Sequence, residues 1–218
     1  MSALAWDWLA PLLATDAPVL PQAGLVEVNL SLGWSVVLAW LGAWGVARWT
    51  SRPGVQAGVA LLLALWAWLP GAFTPDYWLG LAFQAPSLVT TLLCAGLLWD
   101  RLARTPAHGP QPARRSALAL AVLGVGAGWA LLADTFARLP VPLYDLGFSP
   151  LATALVLLAA ALPWVLWRDG RRPWLVPLAV LVFAVLRLPS GNVWDAVLDP
   201  WLWLVLHGYL LRAIRRRT

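Results

Sequence analysis

The sequence contains no lysine, since all 15 of its basic residues are arginines. This absence excludes any lysine Schiff base, and with it a retinal protein. A single cysteine, Cys94, means that no intrachain disulfide can form. The two histidines, His108 and His207, are too few for a conventional metal site or for bis-histidine haem ligation inside a membrane. We therefore expect no metal and no other cofactor.

Charged residues are also scarce, at 11% of the 218 residues, against about a quarter in a typical soluble domain. Hydrophobic residues make up 61%, and several apolar runs reach the roughly 18–20 residues that cross a ~30 Å hydrocarbon core. Runs such as the one from Gly58 to Phe73 do not alternate as transmembrane strands would. The predicted fold class is therefore all-α, a polytopic transmembrane helix bundle.

The hydropathy pattern predicts about seven spans. Their bounds are Val26–Trp49, Val55–Phe73, Tyr77–Trp99, Ser116–Ala137, Pro150–Trp167, Trp174–Leu188 and Val193–Arg212. The sixth is short and the seventh contains Pro200, so these two could instead form one span and a re-entrant piece. The predicted domains are an N-terminal interfacial segment over 1–23, anchored by Trp6 and Trp8, a seven-helix domain over 24–212, and a basic cytoplasmic tail over 213–218.

The arginines support this count independently. With the N-terminus outside, the inner side holds thirteen arginines and the outer side holds only Arg138 and Arg187. Basic residues accumulate in cytoplasmic loops, and many of the 17 tryptophans fall near the predicted span ends, where indole rings prefer to lie. The use of arginine without lysine is typical of a GC-rich bacterial genome. The predicted location is a bacterial inner membrane, with the N-terminus outside and the C-terminus inside.

The net charge of +5 does not indicate nucleic-acid binding, because the arginines are scattered at the ends of apolar runs and form no soluble basic face. The expected partners are membrane lipids, and other membrane subunits or a second copy of the chain.

The outer span ends carry most of the unusual polar residues. The candidate outer polar cluster consists of Glu27, Gln84, Asp134, Arg138, Arg187 and Asp195. One interpretation, which we favour, is that these residues only close helix ends, with an ion pair between Asp134 and Arg138 one helical turn apart. In this interpretation Asn192 and Asp195 cap the seventh span. The alternative is an outward-facing pocket in which Glu27, Asp134 and Asp195 surround Arg187, or bind a cation or a polar head group.

The fourth predicted span carries small residues at spacings of four, three and four. This candidate helix-packing face consists of Ala117, Ala121, Gly124 and Gly128. Small residues at this spacing allow two helices to approach closely. The face predicts a packing contact, either within the bundle or between two copies of the chain.

No catalytic, nucleotide-binding or metal-binding motif is found in the sequence, so we predict no catalytic residue and favour a protein that is not an enzyme. The leading interpretation is an accessory or scaffolding membrane protein that acts through helix packing. One alternative is a transporter or channel for a small solute or ion, with a polar vestibule on the outer face. A second alternative is an enzyme acting on a lipid-linked substrate at the outer leaflet, which would need two carboxylates facing one cavity.

Overall fold

The computed structural model describes residues 18–103, 115–167 and 174–215, except for the side chains of residues 116, 160 and 162–167. It is all-helical, at 75% helix, and has no strand in the described part of the chain. The predicted all-α class is therefore confirmed. The helices are α1 Ala23–Val46, α2 Pro53–Trp66, α3 Pro75–Phe83, α4 Leu88–Leu102, α5 Arg115–Thr135, α6 Leu143–Leu146, α7 Pro150–Trp167, α8 Leu175–Leu186, α9 Val193–Val197 and α10 Pro200–Arg215.

Two helices are long and apolar enough to cross a membrane, namely α1 and the Ala117–Thr135 part of α5. The shorter apolar helices are α2, α8 and the Pro150–Ala159 part of α7. Since only two helices meet the length requirement among the described residues, the seven-span arrangement stays a prediction.

The third predicted span is broken into α3 and α4. Gln84 ends α3 with a φ of 59° and a ψ of −158°, a conformation that is rarely adopted by residues other than glycine. Pro86 cannot continue a helix, because it lacks an N–H group and its ring clashes with the preceding turn. Ser87 then starts α4, and its side-chain oxygen accepts a hydrogen bond from the N–H of Thr90 at 3.1 Å.

The seventh predicted span is divided in the same way, into α9 and α10. Pro200 occupies the first turn of α10, where its missing N–H costs nothing. The Asp199 side chain caps this turn by accepting a hydrogen bond from the N–H of Leu202 at 2.8 Å. Helix α10 then continues to Arg215, so the start of the predicted basic tail is helical.

The chain divides into two compact units. The first unit, Gln22–Pro110, is built around α1, which packs against α2, α3 and α4. Its core contains two clusters of buried side chains, Trp34, Val37 and Cys94 in one and Ala39, Ala43 and Ala60 in the other. Where α1 meets α2, the Ser35 hydroxyl donates a hydrogen bond to the carbonyl oxygen of Ala64 at 3.1 Å.

The second unit consists of Met1–Pro21 and Gln111–Thr218. In it α5 packs against α6, α7 and α10, and α8 packs against α7 and α9. Val180 and Phe183 of α8 and Val193 of α9 are fully buried in its core. Most of the predicted interfacial segment, including Trp6 and Trp8, lies outside the described residues. At its end, the carbonyl oxygen of Val19 lies against Gly191, whose φ of 86° favours glycine.

Candidate functional site

The second unit brings together two connections that are distant in sequence. One is the α5–α7 connection, which contains α6, and the other is the α8–α10 connection, which contains α9. We call their contact the outer clasp, because the sequence predicts these connections on the outer side. It is defined by its polar and glycine residues, namely Asp134, Tyr144, Gly147, Ser190, Asn192 and Asp195.

The first side of the outer clasp is shaped by the end of α5. The backbone turns at Ala137, whose φ is 51°. The N–H of Ala137 donates to the carbonyl of Asp134 at 2.8 Å, and the N–H of Arg138 donates to the carbonyl of Ala133 at 3.0 Å. This pair of bonds is the Schellman pattern that ends many helices. The chain therefore leaves the helix axis before Arg138.

This early helix end corrects one sequence expectation, since Arg138 makes no ion pair with Asp134. The predicted pair assumed that both residues lie on one helical face, but α5 ends at Thr135. The Asp134 carboxylate instead accepts the backbone N–H of Tyr144 at 2.8 Å, in the first turn of α6. A carboxylate is favourable there because the first N–H groups of a helix lack internal partners.

Tyr144 connects the two aspartates of the clasp. Its hydroxyl donates to the Asp195 carboxylate at 2.8 Å, and the Ser190 hydroxyl donates to the same carboxylate oxygen. The pKa of Tyr144 is raised well above its ordinary value near 10, first by burial of the phenol and then by the hydrogen bond to Asp195 and its negative charge. Tyr144 is therefore held as a neutral phenol that donates to Asp195.

Asn192 lies at the centre of the outer clasp and joins its two connections by hydrogen bonds. It is fully buried, its side-chain amide donates to the carbonyl of Tyr144 at 2.9 Å, and its side-chain oxygen accepts from the N–H of Trp194 at 2.9 Å. The N–H of Val193 donates to the carbonyl of Gly147 at 3.0 Å. A Cβ atom on Gly147 would collide with the Asn192 side chain, so this approach requires glycine.

The polar groups of the outer clasp form hydrogen bonds with one another. The Ser190 oxygen donates to Asp195 and accepts from the N–H of Asn192 at 3.2 Å. The partner of the Ser190 hydroxyl is therefore a carboxylate. The arrangement can fix two connections relative to each other.

The two predicted outer arginines lie in the second unit and contact neither clasp aspartate. Arg187 ends α8 in the left-handed conformation, with a φ of 58°, and its guanidinium carbon lies 5.5 Å from the centroid of the Phe183 ring. Arg138 is exposed. The predicted pocket around Arg187 also includes Glu27, which belongs to the first unit, so the pocket stays a prediction.

In the first unit Glu27 lines a cavity of about 290 Å³, together with Ser31, Thr74, Asp76 and Tyr77 among others. The Ser31 hydroxyl donates to one Asp76 carboxylate oxygen at 2.7 Å, and the N–H of Tyr77 donates to the other at 2.9 Å. Asp76 therefore joins α1 to the first turn of α3. Sequence reasoning missed Asp76 because 45 positions separate it from Ser31, and no periodicity links the two.

Gln84, the other predicted outer residue of the first unit, does not line this cavity. Its side chain is exposed, and its carbonyl oxygen accepts the indole N–H of Trp34 at 2.9 Å. That bond satisfies a carbonyl at the break between α3 and α4.

The predicted packing face of the fourth span lies against α10 over part of its length. A Cβ atom on Gly124 would come within 2.6 Å of a Leu206 methyl carbon, and one on Gly128 would collide with the Trp203 indole. Ala121 is buried, whereas Ala117 is exposed. The two glycines therefore allow α5 and α10 to pack closely within the second unit.

Three aromatic side chains pack together at the contact between α5 and α10, namely Trp129, Trp203 and His207. The Trp203 indole N–H donates to the carbonyl of Val125 at 3.2 Å, and its ring centroid lies 5.1 Å from that of Trp129. The Trp129 indole N–H lies 3.2 Å from His207 Nε2, and His207 Nδ1 lies 2.8 Å from the Trp203 carbonyl oxygen. An indole only donates and a carbonyl only accepts, so these contacts assign His207 as the neutral tautomer with hydrogen on Nδ1. Both ring nitrogens are thus occupied.

Among the described residues, no group of three or more His, Cys, Asp or Glu side chains could hold a metal ion. The sequence matches no protein-family model, and comparisons with curated proteins and with solved structures find no match. The function must therefore be argued from the two units themselves.

Proposed function

We propose that this chain is a multi-pass protein of a bacterial inner membrane and that it acts by helix packing as an accessory or scaffolding subunit. The main support for the proposal is a contrast. The polar side chains of the outer clasp are hydrogen-bonded within the protein, whereas large apolar helix faces are exposed. In the outer clasp the Tyr144 and Ser190 hydroxyls donate to the Asp195 carboxylate, and the Asp134 carboxylate accepts the backbone N–H of Tyr144. By contrast, the Ala117–Thr135 part of α5 is long enough to cross a membrane, and only 6% of its most apolar 18-residue stretch is buried.

The uncovered faces are extensive in both units. Phe73 is 92% exposed and Val185 is 73% exposed, while Val122 and Leu123 of α5 are each more than half exposed. Each Å² of apolar surface left in water costs roughly 25 cal/mol, so a lipid or protein environment for these faces is strongly favoured. The arginine distribution supports the proposed orientation, with seven spans and the N-terminus outside.

The proposal is tested by purifying the tagged chain from native membranes in a mild detergent. We expect it to resist alkaline carbonate extraction and to run as a complex heavier than one chain, with a reproducible membrane partner or a second copy identified by mass spectrometry. Replacing Leu123, which is 52% exposed on α5, with asparagine should weaken that complex. The same change at Leu181, which is 55% exposed on α8, is the control. A monomer without any associated protein would contradict the scaffolding role.

A second candidate function, transport of a small cationic solute, is favoured by the cavity next to Glu27. Two carboxylates line it, those of Glu27 and Asp76, and Glu27 has no ion-pair partner among the described residues. An enzyme for lipid-linked substrates would need the same pair, but Asp76 is held by Ser31 and by a backbone N–H. This alternative therefore has the least support.

The transport candidate is tested in proteoliposomes with a panel of small amines and monovalent cations. Asp76→Asn and Glu27→Gln should each reduce uptake if the cavity is a vestibule, because each removes a carboxylate that lines it. Asp145→Asn, which changes an acid of the second unit, is the matched control. Uptake that is equal for all three variants would exclude this cavity as the route.

A further inference from the structure

Two indole rings on one face of α1 and one guanidinium group from the turn after the helix form a column. Trp40 and Trp44 are four residues apart, which places them above one another on the surface of α1, and Arg48 lies in the turn that follows the helix. The rings of Trp40 and Trp44 are stacked, with centroids 6.3 Å apart and an interplanar angle of 23°. The guanidinium carbon of Arg48 lies 3.8 Å from the centroid of the Trp44 ring. The column therefore holds the cation in one place through a cation–π contact.

The charge at the end of this column is not neutralised within the described part of the first unit. Neither Arg48 nor Arg52 makes an ion pair with a described carboxylate. The connection that carries them is fixed, since the N–H of Arg52 donates to the Thr50 hydroxyl at 3.2 Å and the buried Gln56 amide donates to the Thr50 carbonyl at 2.9 Å. Two cations therefore lie on one connection that is held by hydrogen bonds.

The surroundings of these cations are aromatic and apolar. Trp49, between the two arginines in sequence, is 84% exposed, and Trp44 is 41% exposed. Exposed indole rings next to arginine are typical of the membrane–water boundary, where the ring lies at headgroup depth and the cation meets phosphate. A guanidinium group can bind a phosphate through two parallel hydrogen bonds, which an ammonium group cannot do.

We propose that Trp44 and Arg48 form a binding site for the phosphate of an anionic phospholipid. This inference rests on the proposed membrane location, in which the α1–α2 connection faces the cytoplasmic leaflet. The Arg48 guanidinium binds the lipid phosphate, the Trp44 ring fixes the guanidinium, and Arg52 adds attraction for the negative headgroup. Charge complementarity selects the occupant, because a neutral zwitterionic lipid brings its own ammonium group next to the two arginines.

The test uses the full chain in neutral detergent and measures lipid retention by native mass spectrometry. The probes are phosphatidylglycerol and phosphatidylcholine with the same acyl chains. We expect the wild-type chain to retain phosphatidylglycerol preferentially, and Arg48→Gln to weaken that retention about fivefold, the effect of one basic residue at an anionic surface. Trp44→Leu should cause an intermediate loss, since the arginine then keeps its charge but loses its fixed position.

The control is Arg138→Gln, which removes an exposed arginine of the second unit that stacks on no described aromatic ring. It should leave phosphatidylglycerol retention unchanged. Equal losses in the two arginine variants, or equal retention of both lipids by the wild-type chain, would overturn the site while leaving the membrane assignment intact. Carbonate extraction of the same preparations tests the membrane location separately from the lipid site. Release of the wild-type chain by carbonate would overturn the membrane assignment, and the lipid site with it.

Discussion

The close contact between α5 and α10 gives a sharp prediction from two glycines that are two residues apart. Gly128 faces the Trp203 indole, and an added Cβ atom would collide with it. Gly126 has no neighbouring atom within 4 Å of the position that a Cβ would occupy. The variants Gly128→Ala and Gly126→Ala therefore make the same chemical change in the same helix but meet different surroundings.

The expected magnitudes follow from three effects. Alanine favours the helix over glycine by up to about 1 kcal/mol at both positions. At Gly128 this gain is opposed by overpacking, which costs about 1–3 kcal/mol in a well-packed contact. Displacing Trp203 also weakens its hydrogen bond to the Val125 carbonyl, at about 0.5–1.5 kcal/mol. We expect Gly126→Ala to be neutral or stabilising, and Gly128→Ala to be destabilised by roughly 1–3 kcal/mol.

Thermal unfolding in one detergent, followed by tryptophan fluorescence, measures this difference. In a Trp203→Leu background the two alanine variants should become nearly equivalent, because the colliding ring is gone. If Gly128→Ala unfolds at the same temperature as Gly126→Ala in the wild-type background, α5 and α10 do not pack through Gly128, and the reasoning is refuted.

Two further predictions concern the outer clasp. Tyr144→Phe should cost about 1 kcal/mol at neutral pH, because Asp195 loses a hydrogen-bond donor in a partly exposed site. Folding raises the pKa of Tyr144, so the stabilising effect of the neutral phenol is complete below pH 10 and is lost as the pH rises beyond that value. Tyr144→Phe has no phenol to ionise, so this variant should lose less stability than the wild-type chain in alkaline denaturation. Gly147→Ala should destabilise the second unit by about 1–3 kcal/mol through its collision with Asn192, and amide exchange at the clasp that stays as slow as in wild type would argue against this contact.

Much of the helical framework follows from the sequence because apolar runs and proline positions are local signals. The fifth predicted span, Pro150–Trp167, coincides with α7, and α1 and α5 begin and end within three residues of the predicted first and fourth spans. The third and seventh predicted spans are divided next to Pro86 and Pro200, whereas Pro163 lies inside the undivided helix α7. Proline in a helix interior removes one hydrogen bond and adds a clash, and the chain starts a new helix soon after Pro86 and at Pro200.

The candidate site was harder to predict because its contacts join distant segments. Tyr144 and Asp195 are 51 positions apart, and Asn192 reaches a carbonyl 48 positions away. Spacing rules predict which residues share one face of a helix. They therefore predicted the glycine face of α5 but not Trp203, which packs against it. They also assumed that Arg138 continues the helix of Asp134, whereas the turn at Ala137 directs the chain away.

The central claim is that the chain crosses a membrane several times, with its arginine-rich connections inside. Single cysteines at Trp49 and Val141, each at least half exposed, test it when introduced separately into a Cys94→Ala background and labelled in cells with a thiol reagent that cannot cross the membrane. The account predicts that Val141→Cys reacts from outside, whereas Trp49→Cys reacts only after the inner membrane is opened. Labelling of both cysteines from the same side would contradict it.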